Sequence, residues 1–113
     1  MRTEKDNLGE VSLPEGALYG IQSWRARENF ALGYKGVNLR LLYAIVKVKK
    51  AAALTYAGLA CGPRDRELYR AVADACDRVL AGEADDMFVT DALQGGAGTS
   101  AHMNVNEVLA NLA

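Results

Sequence analysis

The glycine-rich run at residues 95–100, GGAGTS, contains the residues of this chain whose types and spacing best fit ligand chemistry. Glycines let a backbone approach a ligand, and the helical pattern behind them would offer unpaired N–H groups with a partial positive charge. The hydroxyls of Thr99 and Ser100 and the backbone of Gly98 can donate to a carboxylate. A small dicarboxylate fits better than a pyrophosphate, because neither GK[ST] nor GxGxxG is present. The alternative is that Thr99 or Ser100 caps the helix and the glycines form a flexible turn.

Four charged or titratable side chains elsewhere are weighed as further candidates for a site. His102, the only histidine, is either a general base or a structural residue beside a helix start. Arg25 can bind a carboxylate through a charge-assisted bond or form an ion pair. Lys49 and Lys50 are adjacent on a helical pattern and point in different directions, so at most one reaches a site and a solvated face is the alternative.

Composition and charge exclude several classes of function. The net charge is -1, with 13 Lys and Arg against 14 Asp and Glu, so no whole-domain field attracts nucleic acid or an anionic membrane. The longest apolar stretches, such as residues 51–54, are far shorter than the roughly 20 residues of a membrane span, and the amino terminus carries charges. These features predict a soluble protein without a secretion signal.

The two cysteines show no CxxC spacing, and the chain has a single histidine, so neither a metal site nor a cofactor is predicted. Cys76 falls on an apolar stripe and is expected to be buried in a reducing compartment. Cys61 follows a helix end and is a candidate for exposure. A disulfide between them stays open at this point.

The first third of the chain, residues 1–36, is predicted to be a loop-rich arm because glycine recurs too often for a long helix or strand. Within it, residues 6–9 have a turn-like composition that would close a short β-hairpin between residues 2–5 and 10–13. Residues 26–30 are predicted to form only a short helical turn.

Two helices are predicted next, at residues 38–60 and 64–81, because apolar residues recur at three- and four-residue steps. Asn38 is the expected N-cap of the first helix, and Gly82 ends the second. So short a connection predicts that the helices pack antiparallel and bury their apolar stripes together. Those stripes are Leu41, Leu42, Ile45, Val46, Val48, Ala52 and Leu59 in the first helix, and Leu68, Val72, Ala75, Cys76 and Val79 in the second.

A turn and a third helix are predicted at residues 95–113. Their apolar face comprises Met103, Val105, Val108, Leu109 and Leu112. Asn104 and Glu107 have the spacing of a polar capping pair. The pattern reaches Ala113 without a terminator, which favours a fragment of a longer chain. The expected fold of the single domain, residues 1–113, is mainly α, with a loop-rich arm, an antiparallel helix pair and the start of a third helix.

Residues 94–111, QGGAGTSAHMNVNEVLAN, resemble the first signature region of the aspartase/fumarase superfamily, where a GxGTxxxMNxNEVxAN pattern lines the substrate site. Further stretches match in the family's order, so the resemblance covers nearly the whole chain. They are residues 4–11, Pro14, residues 17–20, Arg25 with residues 28–30, residues 48–53 and residues 75–77. The resemblance implies that this is the small amino-terminal domain of such a lyase.

Within this superfamily, the QGGAGTS form resembles aspartate ammonia-lyase, whereas class II fumarases usually have a serine where this chain has Ala97. The implied reaction is removal of a Cβ proton from L-aspartate and loss of ammonia to give fumarate, through a stabilised aci-carboxylate intermediate. The resemblance makes Thr99 a substrate-carboxylate donor, with Ser100 and the Gly98 backbone as weaker candidates and Asn104 inside the same pattern. His102 departs from the asparagine that is common in the family.

The catalytic serine of the family belongs to a GSSxMPxKxN loop, and this chain contains neither that loop nor the family's STN and TH stretches. Family sites combine segments from three subunits of a tetramer. The resemblance therefore implies a cytoplasmic, homotetrameric parent enzyme and an inactive fragment, with no nucleic-acid or membrane partner. The alternatives are a fumarate hydratase or other fumaryl lyase, and a structural or assembly domain.

Overall fold

An antiparallel hairpin begins the chain in the computed structural model, which describes residues 1–33 and 35–113. Strands β1 (Arg2–Asp6) and β2 (Gly9–Leu13) pair with Asp6 opposite Gly9. The Asp6 carboxylate accepts a 2.9 Å bond from the Leu8 N–H, and Gly9 takes a φ of 123°, which a residue with a Cβ rarely adopts. The predicted hairpin is confirmed.

Helix α1 spans Ile21–Asn29, so the prediction of a short turn at residues 26–30 was wrong, and much of the predicted loop-rich arm is ordered as hairpin and helix. Its N-cap is Gly20, which supplies no side-chain cap. Carboxylates from elsewhere in the chain accept the first N–H groups of α1 instead. Glu4 accepts from Ile21 at 2.8 Å, and Glu107 accepts from Ser23 at 2.8 Å.

Helices α2 (Leu39–Leu59) and α3 (Pro63–Leu80) agree with the predicted ranges 38–60 and 64–81. The Asn38 side chain caps α2 by accepting a 2.9 Å bond from the Arg40 N–H. Pro63 opens α3, and Gly82 follows its end with a φ of 91°.

The two long helices pack antiparallel. Tyr56 near the end of α2 stacks on Tyr69 near the start of α3, with ring centroids 5.4 Å apart. Earlier in α2, Lys50 bonds Asp77 of α3 at 2.5 Å. A later turn of α2 therefore lies beside an earlier turn of α3, and an earlier turn of α2 lies beside a later turn of α3. The predicted antiparallel pair is confirmed.

The core lies where α2, α3, α4 and the hairpin meet. Its fully buried members include Leu13, Leu42, Val46, Cys76, Val79, Val105 and Val108. The single buried stripe predicted for α2 was wrong in part, because Leu41, Val48 and Leu59 are 54%, 70% and 71% exposed. On α3, Leu68 is likewise exposed. Apolar residues surround much of α2, and only one side of it meets this core.

Helix α4 (Thr99–Leu112) follows two short 3₁₀ turns at Asp85–Met87 and Gly96–Gly98. The predicted turn and helix at 95–113 are present, and Val105, Val108 and Leu109 are buried as expected. The predicted capping pair was wrong, because the N-cap is Gly98 and both Asn104 and Glu107 lie inside the helix.

Both cysteines are free thiols, and the disulfide left open by the sequence does not form. Cys76 is buried and Cys61 exposed, as predicted. Burial raises the pKa of the Cys76 thiol. Within residues 1–33 and 35–113, no helix combines the length and apolar character needed to cross a bilayer.

Candidate functional site

A cleft of about 340 Å³ separates the hairpin turn and α1 from the start of α4. Arg25 lies on the α1 side, and Thr99 and Ser100 lie on the α4 side. Asp6, at the hairpin turn, also lines the cleft. Candidate residues from two distant parts of the sequence, Arg25 and the adjacent Thr99 and Ser100, therefore share one solvent-accessible cleft.

The glycine run that precedes α4 is a tight left-handed turn. Gly96, Ala97 and Gly98 have φ values of 73°, 53° and 87°. Glycine adopts such values freely, whereas the Cβ of Ala97 costs about 1 kcal/mol. Gly95 is packed closely as well, since a Cβ there would lie 3.4 Å from the Phe30 ring. The backbone at this end of the cleft is therefore held in a conformation that few sequences tolerate.

The Thr99 hydroxyl is used within this turn, where it donates to the carbonyl oxygen of Gly96. The backbone N–H of Thr99 bonds the same oxygen. Thr99 therefore does not cap α4 with its side chain, which removes that part of the alternative interpretation. To donate to a carboxylate in the cleft, its hydroxyl must rotate away from Gly96.

Gln94 supplies the cap that Thr99 and Ser100 do not. Its side-chain oxygen accepts a 2.8 Å bond from the Ala101 N–H in the first turn of α4. Its amide nitrogen donates a 2.7 Å bond to the Asp91 carbonyl. The side chain thus ties the helix start to the preceding segment, and sequence reasoning did not identify this role.

Arg25 is held in the cleft wall by Asp6. The guanidinium donates to the two carboxylate oxygens at 2.6 and 2.8 Å and to the Gly9 carbonyl at 3.2 Å. Hydrogen bonding to Arg25 lowers the pKa of Asp6, and the same bond raises the pKa of Arg25. The ion pair foreseen as one alternative is present, so Arg25 brings a partly neutralised charge to the cleft.

The cleft has the parts of a small anion site. The amino-terminal end of α4 carries a partial positive charge, two hydroxyls stand in its first turn, and one paired guanidinium lies opposite. Among the described residues that line it, the one carboxylate, Asp6, is paired with Arg25. The remaining groups can donate hydrogen bonds to a small anion.

Lys49 and His102 lie outside this cleft. Nζ of Lys49 is 3.2 Å from Nε2 of His102, which connects α2 to the first turns of α4. Burial lowers the pKa of Lys49. These two predicted site residues are therefore brought together with each other and away from Thr99.

Asn104 is fully buried and used entirely within the protein. Its oxygen accepts a 2.8 Å bond from the Val89 N–H, and its nitrogen donates a 3.0 Å bond to the Met87 carbonyl. No amide atom faces the cleft in this structure. Asn104 therefore anchors the segment before the glycine turn.

Glu107 is a positioning residue, a role that the sequence did not indicate. Its Oε1 accepts from the N–H of Ser23 at 2.8 Å and from the Ser23 hydroxyl at 2.9 Å. Burial first, and the nearby Glu4 charge as well, raise its pKa. A Cβ on Gly20 would lie 1.7 Å from Oε2 of Glu107, so a side chain there would displace the Glu107 carboxylate. The contact fixes α1 against α4 and so sets the width of the cleft.

Comparison with known proteins places this architecture among lyases. A family model described as Lyase matches residues 9–113. An aspartate ammonia-lyase from a Bacillus species is 46% identical over the full chain, which covers 24% of that enzyme. A class II fumarate hydratase from Chlamydia trachomatis is 42% identical, again over the full chain and 24% of the enzyme.

A solved structure shows the same fold. The crystal structure of a fumarate lyase:delta crystallin protein from Brucella melitensis matches with a TM-score of 0.88 and 45% identity, over 97% of this chain and 25% of that one. The chain thus spans about a quarter of the length of the relatives it matches.

Proposed function

This chain belongs to the lyase family matched over residues 9–113, and from that membership we propose that it is the amino-terminal part of an enzyme that eliminates ammonia from L-aspartate to give fumarate. The resemblance to the aspartase/fumarase superfamily is confirmed by relatives of both kinds. The choice of L-aspartate rests on the glycine run, whose QGGAGTS form resembles that of aspartate ammonia-lyases.

One observation supports the proposal most directly: the cleft joins Thr99 and Ser100 of α4 to Arg25 of α1. A dicarboxylate needs donors at a position where negative charge grows during proton removal. Donors that reach that position stabilise the negative charge as it develops on the intermediate. In the proposed role, Thr99 donates to the substrate carboxylate and Ser100 assists.

Substrate binding in this scheme competes with the bond from Thr99 to Gly96. The Thr99 hydroxyl changes its acceptor when the substrate binds. Its bond to the neutral Gly96 carbonyl breaks, and a bond to the charged carboxylate forms. Hydrogen bonds to charged acceptors contribute about 1.5–3 kcal/mol, against about 0.5–1.5 kcal/mol for neutral pairs. The exchange therefore favours the carboxylate, and the left-handed turn keeps the hydroxyl near it.

Proton removal is assigned to residues beyond this chain, in the remaining length that the relatives possess. We infer that the parent is a cytoplasmic homotetramer whose sites join segments of several subunits, and that this chain alone has no turnover. The cleft is then the carboxylate-binding part of a composite site.

Fumarate hydration is the second candidate, favoured by the relative of that name and its 42% identity. Ala97 argues for L-aspartate, because the serine usual in class II fumarases would add a hydroxyl to the turn that this chain lacks.

The deciding experiment measures fumarate formation by the parent enzyme from L-aspartate and, separately, from L-malate. The proposal expects product from L-aspartate only. Product from L-malate alone would establish the hydratase, and an absence of product from both would favour a structural domain.

A further inference from the structure

Two adjacent lysines on α2 have opposite surroundings. Lys50 bonds Asp77 of α3 at 2.5 Å, and that hydrogen bond raises its pKa. Lys49 forms no ion pair with any carboxylate in residues 1–33 and 35–113. Its polar partner is a ring nitrogen, Nε2 of His102, at 3.2 Å. One ammonium is therefore stabilised as a cation, and the other has lost part of its hydration without gaining a counter-charge.

The groups around Lys49 come from every helix that packs near it. The next residue on α2 is Lys50, already neutralised by Asp77. From α3 the buried Cys76 thiol approaches, and from α4 His102. Burial lowers the pKa of Lys49, and Cys76 opposes this only partly. In the tautomer that carries its proton on Nδ1, the imidazole can accept a hydrogen bond from Nζ at Nε2.

We propose that Lys49 is a nucleophilic lysine, a site of N-acylation by acyl phosphates, with His102 as the proton acceptor. The Lys49 ammonium first loses one proton to solvent, and the free Nζ lone pair then attacks the acyl carbonyl carbon and forms a C–N bond. The C–O bond to phosphate breaks, and inorganic phosphate leaves. The proton released from Nζ passes to Nε2 of His102 across the 3.2 Å contact. Atoms and electrons balance without any oxidant or reductant.

An open groove beside Lys49 can accommodate the acylated side chain. Lys49 lies at the edge of an open groove between α2, α3 and α4, of about 400 Å³, whose wall includes Ala52, Ala53 and Val72. A short acyl chain on Nζ would exchange an unpaired cation for an apolar group beside an apolar wall. Acylation would also end the contact with His102 and so loosen the link between α2 and α4.

The experiment treats the chain with acetyl phosphate at neutral pH and follows acetylation of individual lysines by peptide mass spectrometry at early times. Lys47 is the internal reference, because it is exposed on the same helix and forms no ion pair with the residues that the structure describes. Lys49 is expected to react severalfold faster than Lys47, and Lys50 more slowly than either. If access alone governed the rate, Lys47 would react first, and that order would overturn the proposal.

Two variants separate the parts of the proposal. His102→Ala is expected to slow Lys49 severalfold while leaving Lys47 unchanged, and circular dichroism checks that the helices persist. An unchanged Lys49 rate would remove His102 from the step. Asp77→Asn is expected to speed Lys50 alone, since it frees that amine. If Asp77→Asn changed Lys49 as much as Lys50, the distinction between the two lysines would fail.

Discussion

Replacing Glu107 by alanine should detach α1 from α4. Ser23 is completely buried, and both its N–H and its hydroxyl donate to one oxygen of Glu107, at 2.8 and 2.9 Å. Glu107→Ala leaves both donors without that partner. Each buried donor left unpaired costs about 1–3 kcal/mol.

Two effects make the expected loss of stability smaller than the sum of the costs of the two unpaired donors. Water entering the space left by the side chain satisfies part of the lost bonding. Burial and the charge of Glu4 raise the pKa of Glu107, so removing the carboxylate also removes an unfavourable charge. We therefore expect Glu107→Ala to lower the free energy of unfolding by roughly 2–3 kcal/mol.

Glu107→Gln is the matched control. Because both Ser23 donors use the single oxygen Oε1, a glutamine oxygen there keeps both bonds. The loss should stay below about 1 kcal/mol, since a weaker acceptor is offset by the absent charge. A folded-state pKa above the ordinary 4.5 means that the wild-type chain loses stability as pH rises through that pKa. Glu107→Gln should lack this part of the pH dependence.

Urea unfolding followed by tryptophan fluorescence is the assay. Trp24, the only tryptophan, lies on α1 and therefore reports the docking of that helix. Circular dichroism follows the remaining helices. Equal and small losses in the alanine and glutamine variants, below about 0.5 kcal/mol, would refute the role given to Glu107.

Three other substitutions test the surroundings of the cleft. Gly20→Ala places a Cβ 1.7 Å from a Glu107 oxygen and should cost about 1–3 kcal/mol in urea unfolding, but much less in a chain that already carries Glu107→Ala. The ion pair of Asp6 with Arg25 lowers the pKa of Asp6. The stabilisation from this pair is therefore fully present above the ordinary pKa of 3.8 and is lost as the pH falls through the folded-state pKa, where the difference in stability between wild type and Asp6→Asn should close. Asn104→Leu removes the hydrogen-bond partner of the Val89 N–H and of the Met87 carbonyl. It should lower the free energy of unfolding, measured by thermal or urea unfolding, by about 2–4 kcal/mol.

For each of these three substitutions, one result would contradict the cause given for its effect. A Gly20→Ala cost that is independent of Glu107 would mean that the contact is not the cause. A stability gap for Asp6→Asn that persists in acid would assign its effect to something other than the charge. An unperturbed Asn104→Leu chain would show that water replaces the amide, and would reopen a role for Asn104 at the cleft.

The helix pair was predictable because its signals are local. Asn38, Pro63 and Gly82 mark helix ends through capping and backbone geometry that depend on a few neighbours. Helix α1 was missed for the opposite reason. Its first N–H groups are satisfied by Glu4 and Glu107, which only the tertiary fold brings to Gly20.

Burial was harder to predict than helicity. Apolar residues cover two sides of α2, and periodicity alone does not say which side meets the core, so Val48 was placed inside although it is 70% exposed. Asn104 carried a usable signal, since it lies between Met103 and Val105 of the predicted apolar face of α4 and is buried together with Val105.

The candidate site was predictable only through its family pattern. Thr99 and Ser100 followed from the glycine run, but their meeting with Arg25 depends on α1, which the sequence did not resolve as a helix. The separation of His102 from Thr99 depends on the rotation of α4 against α2, which no local pattern encodes.

Kinetics of Thr99→Val in the parent enzyme test the central claim most directly, with Thr99→Ser as the control that keeps the hydroxyl. We expect Thr99→Val to lower kcat/KM for L-aspartate by the equivalent of about 1.5–3 kcal/mol, while Thr99→Ser retains most of the wild-type value at unchanged folding stability. A kcat/KM for Thr99→Val equal to that of the wild type would mean that the cleft does not bind the substrate carboxylate through Thr99.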